Sequence, residues 1–388
     1  MTTYQRLGDY IREVNVRNRE LKVTNLLGVS ISKEFMPSIA NIIGTDLSAY
    51  KVVERGQLVY IADTSRRGDK IAIALLDNYE NAIVSQAYTV FEVINREALL
   101  PEYLMMWFRR PEFDRYARFH SHGSAREIFD WDELCDVQLP IPSITRQREI
   151  VSEYETLSNR IRINEQMTQH LESTAQALYR KMFVDNIDKE NLPEGWRMGT
   201  LGELCSKIGS GATPKGGKES YVDSGVSLIR SMNVFDFDFC FDDLAHISDK
   251  QAKMLDGVTV NEKDILFNIT GASVARCCMV PNSILPARVN QHVMIIRAEN
   301  DYMPFYILCT LCSEESKRSL LGMSQSGSTR EAITKAEIES FQIAIPPIEQ
   351  LIDFYNNVNV LFSHIDIQKQ ENRKLTELQS LLLAKMGQ

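Results

Sequence analysis

The sequence predicts a mixed α/β (α+β) protein in which two similar globular domains are joined by two long antiparallel coiled-coil helices. Two observations predict this fold. The chain repeats itself at an interval of about 204 residues, and each repeat ends in a helical pattern of 3.5-residue period. The composition, 44% hydrophobic and 24% charged over 388 residues, is that of an ordinary globular protein. The interval is far longer than the roughly 20–50 residues of a solenoid unit, so a two-domain duplication with a pseudo-twofold is favoured.

The repeat is visible at short matching segments. G-S-A-R-E at Gly123–Glu127 corresponds to G-S-T-R-E at Gly327–Glu331, and L-P-I-P at Leu139–Pro142 corresponds to I-A-I-P at Ile343–Pro346. Away from these segments the interval drifts, which indicates that the halves share a plan but differ in loop lengths.

Each half opens with short segments rich in β-branched and aromatic residues, followed by a helix that starts at a proline. In the first half we predict strands at Val52–Ala62, Ile71–Leu76 and Ala82–Val93, and a helix at Pro101–Phe108. The second half repeats this with Asp264–Ile269, Val289–Ala298 and Pro304–Leu311. The predicted organisation is a globular domain at 1–145, a helix at 146–184, a linker at 185–195, a second globular domain at 196–347 and a second helix at 348–388.

The helix that closes each half carries a seam of residues at alternating four- and three-residue spacing. Sustained over four or more heptads, such spacing is typical of a coiled coil rather than of a globular helix face, although a surface helix packed on its own domain is the alternative. If the two helices pair antiparallel and flush, Asn164 faces Asn372 at the centre, and this polar layer fixes the register. The predicted seam comprises Leu157, Ile161, Asn164, Leu171, Leu178, Val358, Ile365, Asn372, Leu375 and Leu382.

Enzyme motifs fail, so no catalytic and no metal-binding residue is predicted. The Gly-rich segment Gly209–Lys218 resembles a phosphate loop, but Ala212 stands where that motif needs glycine and Glu219 where it needs Ser or Thr. Cys309 and Cys312 form a lone C-x-x-C in an apolar helix, for which burial is the better explanation. A nucleotide- or phosphate-using enzyme built on the Gly-rich segment, or a coiled-coil scaffold that binds only protein, remains an alternative function.

Several basic and hydroxyl side chains are candidates for a phosphate-binding face. The two G-S-x-R-E segments have the spacing of helix capping boxes, as do Asp130 with Glu133 and Thr334 with Glu337, so a purely structural role is the first explanation. A helix N-terminus flanked by Ser and Arg also suits a phosphate. A stretch with four arginines, from Arg109 to Arg118, is a further cluster for which ordinary solvated charge is the alternative. The candidates are Arg66, Arg67, Lys70, Ser124, Arg126, Lys215, Lys218, Arg230, Arg276, Ser328 and Arg330.

The ordered set of segments resembles the DNA-specificity subunit (S subunit) of type I restriction-modification systems. The resemblance rests on I-P-S-I-T-R-Q at Ile141–Gln147, I-P-P-I-E-Q at Ile345–Gln350, L-P-E-G-W at Leu192–Trp196, S-G-A-T-P from Ser210 and D-I-L-F-N-I-T-G from Asp264. The first half departs from the pattern, because it lacks the G-W opening and the S-G-x-T-P loop.

The resemblance implies that the globular domains are target recognition domains that read the two halves of a bipartite site in double-stranded DNA. The helices then act as a spacer of about 57 Å each, or about 17 base pairs. It also implies that the chain is non-catalytic and binds no cofactor. Two methyltransferase subunits would bring S-adenosylmethionine, and a motor-nuclease subunit would use ATP. The net charge of −9 leaves part of the phosphate contact to such partners. Scattered cysteines and short apolar runs lead us to expect a cytoplasmic protein without membrane contact.

Overall fold

The computed structural model describes residues 4–38, 44–64, 70–123, 127–185, 187–188, 190–325 and 332–387. The chain forms two compact units. The first contains Met1–Ile163 together with Glu371–Gln388, and the second contains Asn164–Gln370. Each unit therefore combines a globular domain with part of each long helix.

The first unit is built on a four-stranded antiparallel sheet. Three short helices follow the last strand of this sheet in the sequence. Its central order is β2-β9-β6-β7, and β1 pairs with β10, β3 with β4 and β5 with β8. Its described strands are β1 (Tyr4–Arg6), β2 (Ile11–Val14), β3 (Leu27–Val29), β4 (Phe35–Pro37), β5 (Lys51–Glu54), β6 (Leu58–Ile61), β7 (Ala72–Leu75), β8 (Asn81–Val84), β9 (Thr89–Val93) and β10 (Gln138–Pro140). Its described helices are α1 (Pro101–Arg109), α2 (Pro111–Phe119), α3 (Trp131–Cys135) and the first part of α4 (Ile144–Phe183).

The second unit repeats this plan with a larger second sheet. Its sheet β12-β21-β18-β19 corresponds to β2-β9-β6-β7, and the pair β11-β22 corresponds to β1-β10. Its other sheet has the order β16-β13-β20-β17, in which the antiparallel pair β17-β20 corresponds to β5-β8. Its described strands are β11 (Arg197–Thr200), β12 (Cys205–Ser210), β13 (Val226–Ile229), β14 (Val234–Phe235), β15 (Asp238–Phe239), β16 (Ala245–Ile247), β17 (Thr259–Val260), β18 (Ile265–Asn268), β19 (Cys277–Met279), β20 (Ala287–Val289), β21 (Val293–Ala298) and β22 (Gln342–Ile345). Its described helices are α5 (Asp249–Met254), α6 (Pro304–Cys312), α7 (Glu314–Gln325), α8 (Lys335–Glu339) and most of α9 (Ile348–Lys385).

The repeat extends to single hydrogen bonds. Before β6 the Glu54 N–H donates to Gln57 Oε1 (2.9 Å), and before β18 the Asn261 N–H donates to Asp264 Oδ2 (2.7 Å). Gln57 then donates to Glu92 on β9, whereas the fully buried Asp264 accepts two bonds of 2.8 Å from Arg297 on β21. The duplication predicted from the sequence is therefore confirmed, with a charged pair in one unit where the other has an amide and a carboxylate.

Three of the predicted strands are wrong in length. Val52–Ala62 is divided into β5 and β6 by a turn at Arg55–Gln57, where Gly56 adopts a φ of +85° that favours glycine. Ala82–Val93 is divided into β8 and β9 by a second turn. The predicted Val289–Ala298 likewise spans the end of β20 and the whole of β21. The helix at Pro101 is confirmed, with the proline in its first turn.

Within the first unit, the beginning of α4 packs antiparallel against the end of α9. Arg160 forms a two-pronged ion pair with Glu371, at 2.9 and 3.0 Å. The Gln379 amide donates to Ser158 Oγ (2.6 Å). Ile150 and Val151 share the unit's main core with Leu383 of α9 and with Met386 just after it, together with residues of α1 to α3. The C-terminal turns of the chain are therefore part of the first unit's core.

Within the second unit, the end of α4 packs antiparallel against the beginning of α9. Phe354 is fully buried between Tyr179 and Phe183 of α4, with ring centroids 6.3 and 5.1 Å away. Farther along the pair, Lys369 forms an ion pair with Glu172 (3.1 Å) and another with Asp238 (2.9 Å). These contacts place both helices in one core with α6 and the sheet.

The predicted seam residues are all buried or half-buried. Asn372 donates from its amide to the Ile161 carbonyl (3.2 Å) in the first unit, and Asn164 is fully buried in the second. A direct pairing of Asn164 with Asn372 stays a prediction. The long helices begin at Ile144 and Ile348, so α4 starts two residues before the predicted spacer.

Candidate nucleic-acid interface

One end of the second unit gathers four chain segments around the Gly-rich loop. The Gly211 N–H donates to the Val293 carbonyl (3.1 Å), and the Ala212 N–H to the Val289 carbonyl (3.2 Å), so the loop lies along the β20–β21 connection. Thr270, just after β18, forms a β-bridge with Ala332. We call the segments Ser210–Thr213, Thr270, Asn290–His292 and Ala332 the strand-end edge of the second unit.

The Gly-rich loop is closed against the protein rather than open for a phosphate. A Cβ atom at Gly211 would lie 1.9 Å from the Val289 carbonyl oxygen, so only glycine permits this approach. A phosphate loop leads from a strand into a helix whose N-terminus faces the phosphates. Here the loop leads instead into a short 3₁₀ helix at Gly217–Ser220.

A chain of side-chain hydrogen bonds crosses the strand-end edge. Thr213 Oγ1 bonds Gln291 Oε1, and the Gln291 amide nitrogen lies 3.0 Å from His292 Nε2. His292 Nδ1 lies 2.8 Å from Thr270 Oγ1. An amide oxygen only accepts, so the Thr213 hydroxyl donates to Gln291 Oε1. The Gln291 amide nitrogen is a donor, and His292 Nε2 therefore accepts a hydrogen bond from it. These residues are not among the predicted candidates, since nothing local in the sequence brings positions 213, 270 and 292 together.

Two lysines of the predicted site stand on the loop that follows this edge. Lys215 and Lys218 are exposed, and neither forms an ion pair with a described residue. The Tyr221 N–H donates to the Lys218 carbonyl (3.2 Å), and the Tyr221 ring lies beneath the Arg230 guanidinium at 5.8 Å. Tyr221 therefore contacts both residues, the backbone of Lys218 and the side chain of Arg230.

Arg276, another arginine among the predicted candidates, is connected to the segment of Arg230 through the buried residue Asn268. Arg276 lies over the Phe235 ring at 4.9 Å, on the β18–β19 hairpin. Asn268, fully buried, donates to the Ser231 carbonyl (2.9 Å) next to Arg230, and its own N–H donates to the Arg276 carbonyl (2.8 Å). We call Lys215, Lys218, Arg230 and Arg276 the basic patch of the second unit. Its arginines are held by aromatic rings, whereas its lysines extend into solvent.

The first unit has a corresponding edge. The Thr64 N–H donates to the Glu127 carbonyl (3.0 Å). In the sequence Thr64 stands just before the candidate Arg66, and Glu127 directly follows the candidate Arg126. The Phe129 N–H donates to the Ala62 carbonyl (2.9 Å), as the Ile333 N–H does to the Ile269 carbonyl in the second unit. Lys70 is exposed beside this edge in sequence. The predicted residues that lie outside the described part of the chain are Arg66, Arg67, Ser124, Arg126, Ser328 and Arg330.

The arginine-rich stretch of α1 and α2 serves the fold, so its interpretation as a phosphate-binding face is not supported. Arg110 lies over the Trp107 ring at 4.2 Å, and Arg109 over the Tyr154 ring at 5.6 Å. Arg115 pairs with Glu112, and Arg118 with Glu127. Each of the four guanidinium groups is thus engaged by a neighbour within the unit.

The predicted capping boxes differ between the units. Thr334 and Glu337 form a complete box that opens α8, as predicted. Asp130 caps α3 by accepting from the Glu133 N–H (3.0 Å), but the Glu133 side chain turns instead to His120 (3.0 Å) and His122 (3.3 Å). The box at Asp130 is therefore only half formed, because two imidazoles bind its glutamate.

Cys312 lies against a cysteine from another segment, and both thiols are free. Its Sγ lies 3.3 Å from Cys277 Sγ and near Asp236, a set whose atoms are close enough to hold a metal ion. The Lys317 ammonium lies 2.5 Å from Asp236 Oδ1 and also donates to the Ala275 carbonyl, so it supplies the positive charge at this place. Burial lowers the pKa of Lys317, but Cys277, Cys312 and Asp236 outweigh it and raise that pKa. Burial raises the pKa of the Cys309 thiol, in keeping with a structural role.

Within the described part of the chain, every helix is too short or too polar to cross a membrane.

One protein-family model matches most of the chain, in two separate segments. The model of the type I restriction modification DNA specificity domain matches twice, at residues 33–173 and 193–379. The two matches fall one on each half of the repeat described above.

Individual relatives agree with the family match. The chain is 25% identical over 312 residues to the type I restriction enzyme MjaIX specificity subunit of Methanocaldococcus jannaschii, covering 76% of this chain and 70% of the relative. It is 21% identical to the type I restriction enzyme HindI specificity subunit of Haemophilus influenzae, covering 98% and 97%.

A solved structure shows the same fold over the whole chain. The type I restriction-modification S subunit from M. genitalium superposes with a TM-score of 0.63 at 12% identity, covering 100% of this chain and 96% of that one. The two family matches establish that the chain belongs to the type I restriction-modification DNA specificity family and carries the domain of that family twice.

Proposed function

We propose that each unit reads one half of a bipartite site in double-stranded DNA through its strand-end edge. The observation that carries this proposal is that the same edge is built twice, from equivalent strands, inside two copies of a DNA specificity domain. The segments around the two edges differ, since the second unit adds the Gly-rich loop and the basic patch. Two domains with a common frame and different surface segments suit the recognition of two different half-sites.

The chemistry of the second edge suits DNA. The basic patch offers cations for phosphates. The strand-end edge carries amide and hydroxyl side chains, which can bind both phosphates and base edges. The closed Gly-rich loop gives no support to the alternative of a phosphate-using enzyme. The basic patch also counts against a scaffold that binds only protein.

We propose further that the long helices recruit the other subunits of the restriction-modification complex. Exposed apolar side chains support a protein-binding surface: Leu378 and Leu381 are 50% and 60% exposed in the first unit, and Val360 and Ile367 are 54% and 57% exposed in the second. In this proposal two methyltransferase subunits bind S-adenosylmethionine, a motor-nuclease subunit uses ATP, and this chain contributes specificity without catalysis. The helices set the separation of the half-sites.

The test is to express the chain with its methyltransferase partner and to map methylated sites across a genome. A single split consensus, with two defined halves and a fixed spacer, is expected. Methylation that requires only one contiguous half, or no methylation that depends on this chain, would refute the proposal. Tight ATP binding by the isolated chain that is lost in Lys218→Ala would favour the enzyme alternative.

A further inference from the structure

Equivalent turns connect the strands that lead to each edge. In the first unit Ser85–Tyr88 joins β8 to β9, and in the second Asn290–Val293 joins β20 to β21. Both turns close with the same backbone bond, from Tyr88 N–H to the Ser85 carbonyl (3.0 Å) and from Val293 N–H to the Asn290 carbonyl (3.2 Å).

The side chain that begins each turn also plays the same role. Ser85 Oγ accepts from the Ala87 N–H (3.3 Å), and Asn290 Oδ1 accepts from the His292 N–H (3.0 Å). The two turns are thus the same structure built from largely different residues.

The second position of each turn is an exposed glutamine. Gln86 and Gln291 are both exposed, while the positions before and after them differ between the units. Gln291 keeps one amide hydrogen for a ligand, because the other is given to His292 Nε2 and its carbonyl oxygen accepts from Thr213. The structure gives Gln86 no hydrogen bond to another described residue. An amide is thus presented at the same place in both units, inside segments that otherwise diverge.

We propose that Gln86 and Gln291 are equivalent positioning residues, each donating an amide hydrogen to a DNA backbone phosphate in the half-site that its unit reads. This inference rests on the proposed function. Two half-sites of different sequence have the phosphate backbone in common, so a side chain kept in both units fits a contact that carries no sequence information. Bidentate reading of adenine would require the Gln291 carbonyl oxygen to accept a second hydrogen bond beside that from Thr213, whereas a phosphate contact uses only the remaining N–H.

The chain offers a matched control for this pair. Gln138 on β10 and Gln342 on β22 are also exposed glutamines at equivalent positions of the repeat. Each bonds its own chain nearby, Gln138 with the Asp136 carbonyl (3.4 Å) and Gln342 with the Ser340 carbonyl (3.3 Å). They share the residue type, the exposure and the duplication, but they lie on the strand pairs next to the long helices.

The experiment compares Gln86→Ala and Gln291→Ala with Gln138→Ala and Gln342→Ala in the complex with the methyltransferase partner. Binding is measured by fluorescence anisotropy on duplexes with and without the methylated site, over a series of salt concentrations. Each turn variant should bind both duplexes about tenfold more weakly, as expected for a lost hydrogen bond to a charged group. The salt dependence should keep its slope, because no cation is removed. The control variants should bind like the wild type.

Two further measurements separate positioning from folding and from base reading. All four variants should melt like the wild type, and the methylated consensus should be unchanged in every one. Gln291→Glu should bind more weakly than Gln291→Ala, because a carboxylate repels the phosphate.

Three results would overturn the inference: unchanged affinity in the turn variants, equal loss in the controls, or a consensus that becomes degenerate at one base. If the wild-type complex binds DNA but methylates no split site, the proposed function fails, while a uniform loss in the turn variants still supports the backbone contact.

Discussion

The C-terminal turns of α9 belong to the core of the first unit, which makes a specific demand on stability. Leu383 and Met386 are only 8% and 7% exposed, and they pack with residues of α1 and the start of α4. Tyr4 also donates its hydroxyl to the Gly387 carbonyl (2.9 Å). These residues near the end of α9 should therefore stabilise the first domain, more than 230 positions away in sequence.

The perturbation is the double variant Leu383→Ala with Met386→Ala. Truncation of a buried Leu or Met to Ala costs about 2–5 kcal/mol, and the edge position of these two side chains favours the lower end. If the two losses add, the first unit loses about 4 kcal/mol of its free energy of unfolding. At roughly 2–4 °C per kcal/mol for a unit of this size, its melting temperature should fall by about 8–16 °C.

The assay is hydrogen exchange by mass spectrometry, which reports the two units separately. Protection in β6 and β9 should fall, while protection in β18 and β21 stays at the wild-type level. The control is Leu378→Ala with Leu381→Ala on the same turns of α9, which are 50% and 60% exposed and should change stability by less than about 0.5 kcal/mol. Equal losses in both units, or no loss in the first, would refute the packing described here.

Other consequences follow from single contacts. Alanine at all four positions of the basic patch should weaken binding evenly across DNA sequences. The slope of log affinity against log salt concentration should become shallower by about one for each phosphate contact that is lost. Unchanged affinity would remove the patch from the interface. Burial raises the pKa of Glu92, but Gln57 and Arg12 outweigh it and hold that pKa below the ordinary 4.5. The stability that Glu92 contributes is present above that ordinary value and is lost as the pH falls through the depressed pKa, so Glu92→Gln should show a smaller loss than the wild type in urea unfolding between pH 7 and pH 3. Replacing both Asn164 and Asn372 by leucine should raise the melting temperature while loosening register or promoting wrong association, and a melting temperature below that of the wild type would contradict a register role for these buried amides.

The sequence was informative wherever the physical signal is local or periodic. The heptad spacing predicted both long helices, because a seam of 3.5-residue period must be buried along its whole length. The proline at Pro101 marked the start of α1 for the same local reason. Strand limits were less well predicted: the polar residues Glu54–Gln57 interrupt the segment Val52–Ala62, and the turn there, with Gly56 at positive φ, divides β5 from β6.

The candidate site was predictable only in part. The lysines Lys215 and Lys218 became candidates because they lie in the Gly-rich segment, and their contact with DNA stays a prediction. The chain from Thr213 through Gln291 and His292 to Thr270 depends on contacts between residues far apart in sequence, which composition and spacing do not reveal. The arginines of α1 and α2 form a cluster of charge that is visible in the sequence, whereas their ring and ion-pair partners within the unit are visible only in the structure.

The central claim is that each unit reads its own half-site. The most direct test replaces Tyr4–Leu139 with the equivalent segment of another family member and maps methylated sites genome-wide with the methyltransferase partner present. One half of the consensus should change to that of the donor, while the other half stays as in the wild type. A consensus in which both halves change together, or in which neither changes, would contradict the account.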